Sequence, residues 1–379
     1  MTQKILFLTL LTALFILSCS KEPVTKNEIL HPETVEIQAL VDAAVDELNN
    51  DYKNRYATEN LNGEVSTRGT VLVPAGSVNA IEDAIKQAGY NGTVILETGT
   101  HETQPLVLDK PIRLKGQSGA VLLVNVSEHD GSVFPWLIRP AIHVKNVGYA
   151  LISNIELKPK NETGWTGILL EKSPSARILD NKITGFAFGV VPYNSNGIKV
   201  YDNFIDASPI GQGVSGVYNI DGEYSKIKGN EIAGFTWGIF ASDRKGTVTD
   251  NYFHDCSNGI LLCNVPAWQS LPNGEIVQAP ESGTRWVVTK NNATDNNIGY
   301  NVLDGANKNY VYQNNASNNL NYDINLGAPF LLFGDPRPAS RDNVAVSLGQ
   351  FKYLTVKDCG DNNKIYAGNE VDYNEDPCE

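Results

Sequence analysis

Two columns of ionisable side chains return at a fixed place in this sequence. Four residues before a recurring Asn stand Arg177, Lys199, Lys226 and Thr247. Five residues after a recurring Gly stand Lys172, Asn194, Asp221, Asp243, Asn264 and Asp304, with Tyr193 and Arg244 beside that column. If the chain is wound so that successive repeats stack, the basic groups lie about 4.8 Å apart. Unpaired cations at that spacing repel one another and call for an anion, either a neighbouring carboxylate or a ligand. Asp221 and Asp243 fall on adjacent repeats. A carboxylate pair facing a basic stripe has the parts for two chemistries. In β-elimination of a uronate polymer, cations neutralise the sugar carboxylate and a base takes the α-proton. In glycoside hydrolysis, two carboxylates share acid and base duties. Asp221, Asp243, Lys199 and Lys226 are therefore the catalytic candidates, and Arg177, Tyr193, Tyr201 and Arg244 the substrate-binding ones. The competing reading keeps the Asp residues as turn-formers paired with the Lys residues. His254 and Asp255 are further candidates, but His254 falls outward with no partner column, which favours a plain surface histidine. His31, His101, His129 and His143 show no metal-ligand spacing.

The elements that must position these groups are short strands. Asn181, Asn203, Asn230, Asn251, Asn291 and Asn314 follow one another at steps of 22, 27, 21, 40 and 23 residues. The Gly markers at 167, 189, 216, 238, 259 and 299 step by 22, 27, 22, 21 and 40. Three residues before each Asn stand Ile178, Val200, Ile227, Val248, Val288 and Val311, and two after it Ile183, Ile205, Ile232, Phe253, Ala293 and Ala316. Apolar residues alternate with polar ones, and no ten-residue helical pattern intervenes. Short strands returning every 21 to 23 residues describe the coils of a parallel β-helix. The Asn column is expected inside, at the bend between two strands, bonding the turn backbone and stacking on itself.

With 379 residues, 33 glycines and a net charge of −13, the chain suits a turn-rich β protein and excludes a nucleic-acid partner, which needs a basic field. Lys4 and the apolar run Ile5 to Leu17 read as an export signal, too short to span a membrane. Leu17-Ser18-Cys19 resembles the lipobox of bacterial lipoproteins, which implies cleavage before Cys19 and a lipid on it. Losing Lys4 with the signal makes the mature chain one unit more negative. The protein is then expected in the cell envelope, at the outer membrane or cell surface, touching the membrane through its lipid only. Cys359 and Cys378 bracket a polar tail and are expected to pair in an oxidising compartment; Cys256 and Cys263 remain either a pair or two core thiols. No cofactor is indicated; calcium stays open, without a motif for it.

Residues 1–18 are thus the signal, 19–31 a tether, 32–75 an N-terminal helix and loop, 76–326 the solenoid, and 327–379 a C-terminal cap and tail. Ile37, Leu40, Val41, Ala44, Val45 and Leu48 give the helix one apolar face. Asn79 to Glu82 has a capping-box pattern and opens a short helix, stopped by Gly89, over the N-terminal end of the stack. The run from Ala80-Ile81 through Gly92-Thr93-Val94-Ile95-Leu96, Gly99-Thr100 and Lys110-Pro111-Ile112-Arg113-Leu114-Lys115-Gly116 resembles the opening of right-handed parallel β-helix proteins, the pectin-lyase-like superfamily. The resemblance covers roughly 76–326 and implies the fold. It leaves the activity open among lyases, glycosidases, epimerases, esterases, tailspikes and non-catalytic proteins. The polygalacturonase pattern of three Asp with Gly-His-Gly, the Asp-Pro-His-Glu run of alginate epimerases and the pectate-lyase calcium cluster have no counterpart here. Two insertions, 127–140 and 265–285, mark faces where ligands gather.

The expectation is an all-β, single-stranded right-handed parallel β-helix with an α-helical N-terminal cap. Its expected function is to bind an anionic polysaccharide and, by lyase or glycosidase chemistry, to cleave it. The alternative is a non-catalytic adhesive or accessory protein. A periplasmic metal-delivery factor of the same fold is disfavoured by five His and one Met.

Overall fold

In a computed structural model the chain forms a right-handed parallel β-helix. The structure describes residues 29–30, 34–56, 69–126, 140–161, 163–264, 268–270, 276–278, 282–327, 331–332, 335–336, 339–347, 355–367 and 372–373. Among the described residues the coils give short strands to three sheets of 13, 9 and 11 strands. The first sheet runs from Thr70–Val73 through Arg177–Leu179, Lys199–Tyr201 and Lys226–Lys228 to Lys364–Ala367; the second runs from Gly99–Thr103 to Asn315–Ser317; the third from Leu106–Leu108 to Asp372–Tyr373. The sheets therefore extend beyond the boundaries expected at 76 and 326, because Val344–Ser347 and Thr355–Asp358 pair in register with the coils before them.

Winding places like residues on like. Ile178, Val200, Ile227, Val248, Val288 and Val311 are successive register partners. So are Ile183, Ile205, Ile232, Phe253, Ala293 and Ala316. All are buried, and each adds its side chain to one continuous core. The six Asn residues form the expected ladder. Each Nδ2 donates to the next Oδ1 at 2.8–3.0 Å, and the same Oδ1 takes the backbone N–H of the Asn below. The residue before each is Asp, Gly, Lys or Gln at positive φ, the left-handed bend that turns one sheet into the next. The Gly column sits at a close approach: a Cβ on Gly189 would lie 2.4 Å from Ile205 Cγ2 and 2.5 Å from the Gly216 carbonyl oxygen.

The helix Ala80–Ala88 buries Ile81, Ala84, Ile85 and Ala88 on the open end of the stack, as expected of a cap. Its capping box is not made. Asn79 has φ 56, makes no cap bond, and its Oδ1 instead accepts the Gln104 backbone N–H at 3.1 Å. The longer helix, Thr34–Tyr56, lies along the outer face of the first sheet. Val41 packs on Val287, Tyr312 and Val346, with Ala44, Val45 and Leu48 alongside, whereas Leu40 is 50 % exposed and off the buried face. Before that helix, Ile29–Leu30 pairs with Lys364–Ala367, so the N-terminal segment begins at the C-terminal end of the stack.

Candidate functional site

The expected catalytic residues occupy three different environments. Arg177, Lys199, Lys226 and Thr247 are successive register partners on the outer face of the first sheet, as the spacing predicts. Tyr201 stands on the same face, paired with Lys228. Asp221 sits at φ 56 at a bulge within the third-sheet strand Gly213–Glu223, at the surface. Asp243 points inward and is 1 % exposed. Ser173, Ser195 and Gly222 precede it in one column, and a Cβ on Gly222 would lie 3.6 Å from Asp243 Oδ2. The Asp243 carboxyl thus fills the space that Gly222 leaves, where Oδ2 accepts Asn219 Nδ2 at 2.7 Å and Ser225 Oγ at 2.9 Å. Burial drives its pKa well above the carboxylate range. Asp221 and Asp243 are therefore no carboxylate pair, and a buried Asp243 meets no substrate. The end of the helix Thr34–Tyr56 also lies over the stripe: Lys226 Nζ donates to Asn49 Oδ1 at 3.1 Å, 5.9 Å from the Tyr52 ring.

The insertions point to another face. Residues 127–140 lead into the third-sheet strand Ile142–Lys145, and 265–285 follow the third-sheet strand Asn258–Leu262. Both border the third sheet and neither borders the stripe alone. Of the second insertion, Trp268–Ser270 and Ile276–Gln278 form an antiparallel hairpin.

The outer face of the third sheet is lined with rings. Leu169, Val191, Tyr218, Phe240 and Leu261 occupy it on successive coils. Tyr218 stacks on Phe240 at 4.4 Å, Phe188 meets Tyr218 edge-on at 5.3 Å, and Trp237 lies 5.0 Å from Phe240. The centre is buried, while Trp165, Tyr193, Val214 and Trp237 at its margin are partly exposed.

Along the edge where these strands turn toward the first sheet runs a row of ionisable groups. His143 Nε2 lies 2.9 Å from Glu171 Oε2. Burial outweighs the carboxylate and lowers the His143 pKa, leaving the ring neutral at pH 7. Glu171 is the register partner of Tyr193 on one side and Lys145 on the other. Burial first, then Asp221 and Glu171, raises the Tyr193 phenol. Partial burial raises the Asp221 carboxyl against the pull of Arg244, and Arg244 Nη2 holds Glu223 Oε1 at 2.7 Å. Tyr193, Asp221 and Arg244 are thus brought together as the spacing predicts. His143 and Glu171 were missed, since His143 precedes the clear repeats and meets Glu171 diagonally, its own register partner being Leu169. His254 lies by Asp255 at 2.7 Å and Glu231 at 3.5 Å on the second sheet, away from this row. A cleft of about 430 Å³ also opens on the second sheet, where Lys158 and Lys182 both pair with Glu156.

Three parallel sheets joined by short turns, an asparagine ladder and a capped N-terminal end are now in place. By fold the chain is a right-handed parallel β-helix protein. The family model described as periplasmic copper-binding protein (NosD) matches residues 91–266 of it. The β-helix is similar to the A-module of the mannuronan C-5 epimerase AlgE6 from Azotobacter vinelandii, with a TM-score of 0.53 and 13 % identity over 79 % of this chain and 92 % of that one. The AlgE4 A-module from the same organism gives 0.51 and 12 % over 78 % and 91 %. No curated protein matches the sequence. At such identity the likeness concerns the fold. The copper in the family description finds no fitting donor set among the described residues, where no three His, Cys, Asp or Glu side chains converge. Cys256 and Cys263 are buried and not disulfide-bonded, and the His101 ring is buried against the Glu97 carbonyl oxygen. Cys359 is disulfide-bonded; Cys378, its expected partner, and Cys19 lie outside the described residues.

Proposed function

We propose that this β-helix protein resides in the bacterial envelope, tethered by a lipid on Cys19, and binds an acidic polysaccharide along the outer face of its third sheet. The observation that carries this reading is the partly exposed margin of rings, Trp165, Tyr193 and Trp237, between the two insertion points, with Lys145, Lys172 and Arg244 along one edge. Aromatic rings cover the apolar faces of sugars, and edge cations meet their carboxylates. The periplasmic character of the matching family supports the location, and the two epimerases of similar fold act on mannuronan by name. The test is titration of the full chain with a panel of acidic and neutral polysaccharides. Trp237→Ala and Arg244→Gln are each expected to weaken binding about tenfold, or ~1.4 kcal/mol, with the melting temperature recorded as a control for folding. If no acidic polysaccharide binds, or if both variants bind as the parent does, the reading fails.

One observation favours turnover in addition. A neutral His143 held on Glu171, beside the Tyr193 phenol, supplies a base and a proton donor for β-elimination. Hydrolysis by an Asp221–Asp243 pair is excluded by the burial of Asp243. Appearance of the unsaturated product by ultraviolet absorbance, lost in His143→Ala and Tyr193→Phe while binding persists, is the expected result. Binding without product in the parent leaves the accessory or adhesive role.

A further inference from the structure

The helix Thr34–Tyr56 neutralises most cations it meets on the first sheet and its turns, but not one group of them. Asp51 Oδ2 lies 2.6 Å from Lys245 Nζ and accepts the Tyr224 hydroxyl at 2.6 Å, and its Oδ1 takes Arg55 Nε at 3.1 Å. Arg55 and Arg244 share Glu223, Arg285 lies 3.9 Å from Glu47, and Lys228 lies 3.6 Å from Asp250. Arg177, Lys199 and Lys226 differ. They are partners on three successive coils, which sets their Cα atoms about 4.8 Å apart. Among the described residues no carboxylate pairs with Arg177, Lys199, Lys53 or Lys226, whose Nζ meets the neutral Asn49 Oδ1 and the Tyr52 ring. Lys226 is half-buried under the helix, and burial, then Lys199, then Lys53, depress its pKa. Tyr52 closes one side, its hydroxyl 3.4 Å from Ser175 Oγ and its ring over Gly197, where a Cβ would come within 2.8 Å of it. Arg177, Lys199 and Lys226 thus stack as cations on a protein of net charge −13, with Lys53 close enough to act on Lys226.

We propose that Lys53, Arg177, Lys199 and Lys226 form a binding site for a phosphate group, between the last turns of this helix and the outer face of the first sheet. A single carboxylate brings one charge. A phosphate monoester brings about 1.5 to 2 charges and three strong acceptor oxygens, which suits three ammonium groups and the fork of one guanidinium. The site lies on a different sheet from the ring-lined face and does not rest on the polysaccharide reading. Its group is carried either by a soluble sugar phosphate or by a lipid headgroup.

The experiment is a thermal melt and a calorimetric titration of the full chain with inorganic phosphate, then with a hexose 6-phosphate, then a sedimentation assay with vesicles of phosphatidylcholine containing phosphatidic acid. Lys199→Gln with Lys226→Gln is the test variant. Without phosphate it is expected to melt at or above the parent temperature, because two like charges are removed. With phosphate the parent's melting temperature rises and the variant's does not, and its affinity falls about tenfold or more. Lys53→Gln weakens binding by a smaller factor. Binding of the sugar phosphate but not of vesicles assigns a soluble ligand, and vesicle binding lost in the variant assigns a lipid; either outcome supports the site. No heat and no melting shift with phosphate, together with no vesicle binding, overturns it, as does a variant that binds like the parent.

Discussion

Asp243 stands in a column whose earlier rungs are Ser173, Ser195 and Gly222, and its carboxyl occupies the room the glycine leaves. Two acceptor oxygens there, Asp243 Oδ1 and Asn219 Oδ1, are buried without a donor. A proton on Asp243 supplies a donor, and burial keeps that proton on the native state well above the ordinary carboxylate range. The sign follows: the native state holds the proton while the unfolded chain releases it above pH ~3.9, so this group's stabilisation is complete below that pH and is lost as pH rises toward the elevated native pKa. Asp243→Asn places an amide donor against Asn219 Oδ1 and keeps an acceptor for Asn219 Nδ2. It is expected to flatten the fall in stability with pH, by about 1.4 kcal/mol for each unit of elevation crossed. Asp243→Ala strands the donors of Asn219 and Ser225 and is expected to cost about 1–3 kcal/mol at every pH. Denaturant melts from pH 4 to 9 separate these outcomes; a parent whose stability does not fall with pH relative to Asp243→Asn contradicts the protonated assignment.

Ladders depend on every rung. Asn230 Nδ2 donates to the Val200 carbonyl at 2.8 Å and to Asn251 Oδ1 at 2.8 Å, while its Oδ1 takes both the backbone N–H and the Nδ2 of Asn203. Asn230→Ala takes the acceptor from the Asn203 backbone N–H and Nδ2 and a donor from the Val200 carbonyl and Asn251 Oδ1, and is expected to cost about 2–4 kcal/mol in guanidinium unfolding, against under 1 kcal/mol for a surface Asn such as Asn362. This ladder was legible because its rungs return at a near-constant step and because Asp-Asn or Gly-Asn is what a left-handed bend followed by an inward amide requires. A second ladder, Asn309 to Asn343 to Asn363, was not legible, since its steps of 34 and 20 residues carry no shared phrase. Column counting also placed the basic stripe correctly, yet it could not place Asp243. One extra residue at Asp221–Gly222 shifts the register between adjacent coils and turns an expected outward carboxylate inward.

The same outward column that is basic at Arg177, Lys199 and Lys226 becomes apolar at Val287, Tyr310 and Val344. Read that far, it calls for a cover, and the helix Thr34–Tyr56 supplies it. Because Ile29–Leu30 extends the last coil of the first sheet and Tyr52 reaches Gly197, this segment fastens the C-terminal half of the stack from its far end to its middle. The proposed lipid on Cys19 would then tether the molecule from its C-terminal end, with the Ala80–Ala88 cap pointing away from the membrane. The two ends of the helix are held by different forces and respond differently. Val41→Asp puts a charge into the apolar end, and is expected to lower the melting temperature and raise hydrogen exchange from Val287 to Tyr366 while sparing the coils before Thr166. Asp51→Ala cuts the polar end and is expected to free only the last two turns. Lys245, Tyr224 and Arg55 hold the Asp51 carboxyl far below its usual range, so the parent's polar end stays docked above pH ~4 and loosens only as pH falls through that depressed value. Exchange that rises uniformly along the whole β-helix in Val41→Asp would show instead that the helix is no fastening for one half but part of a single cooperative unit.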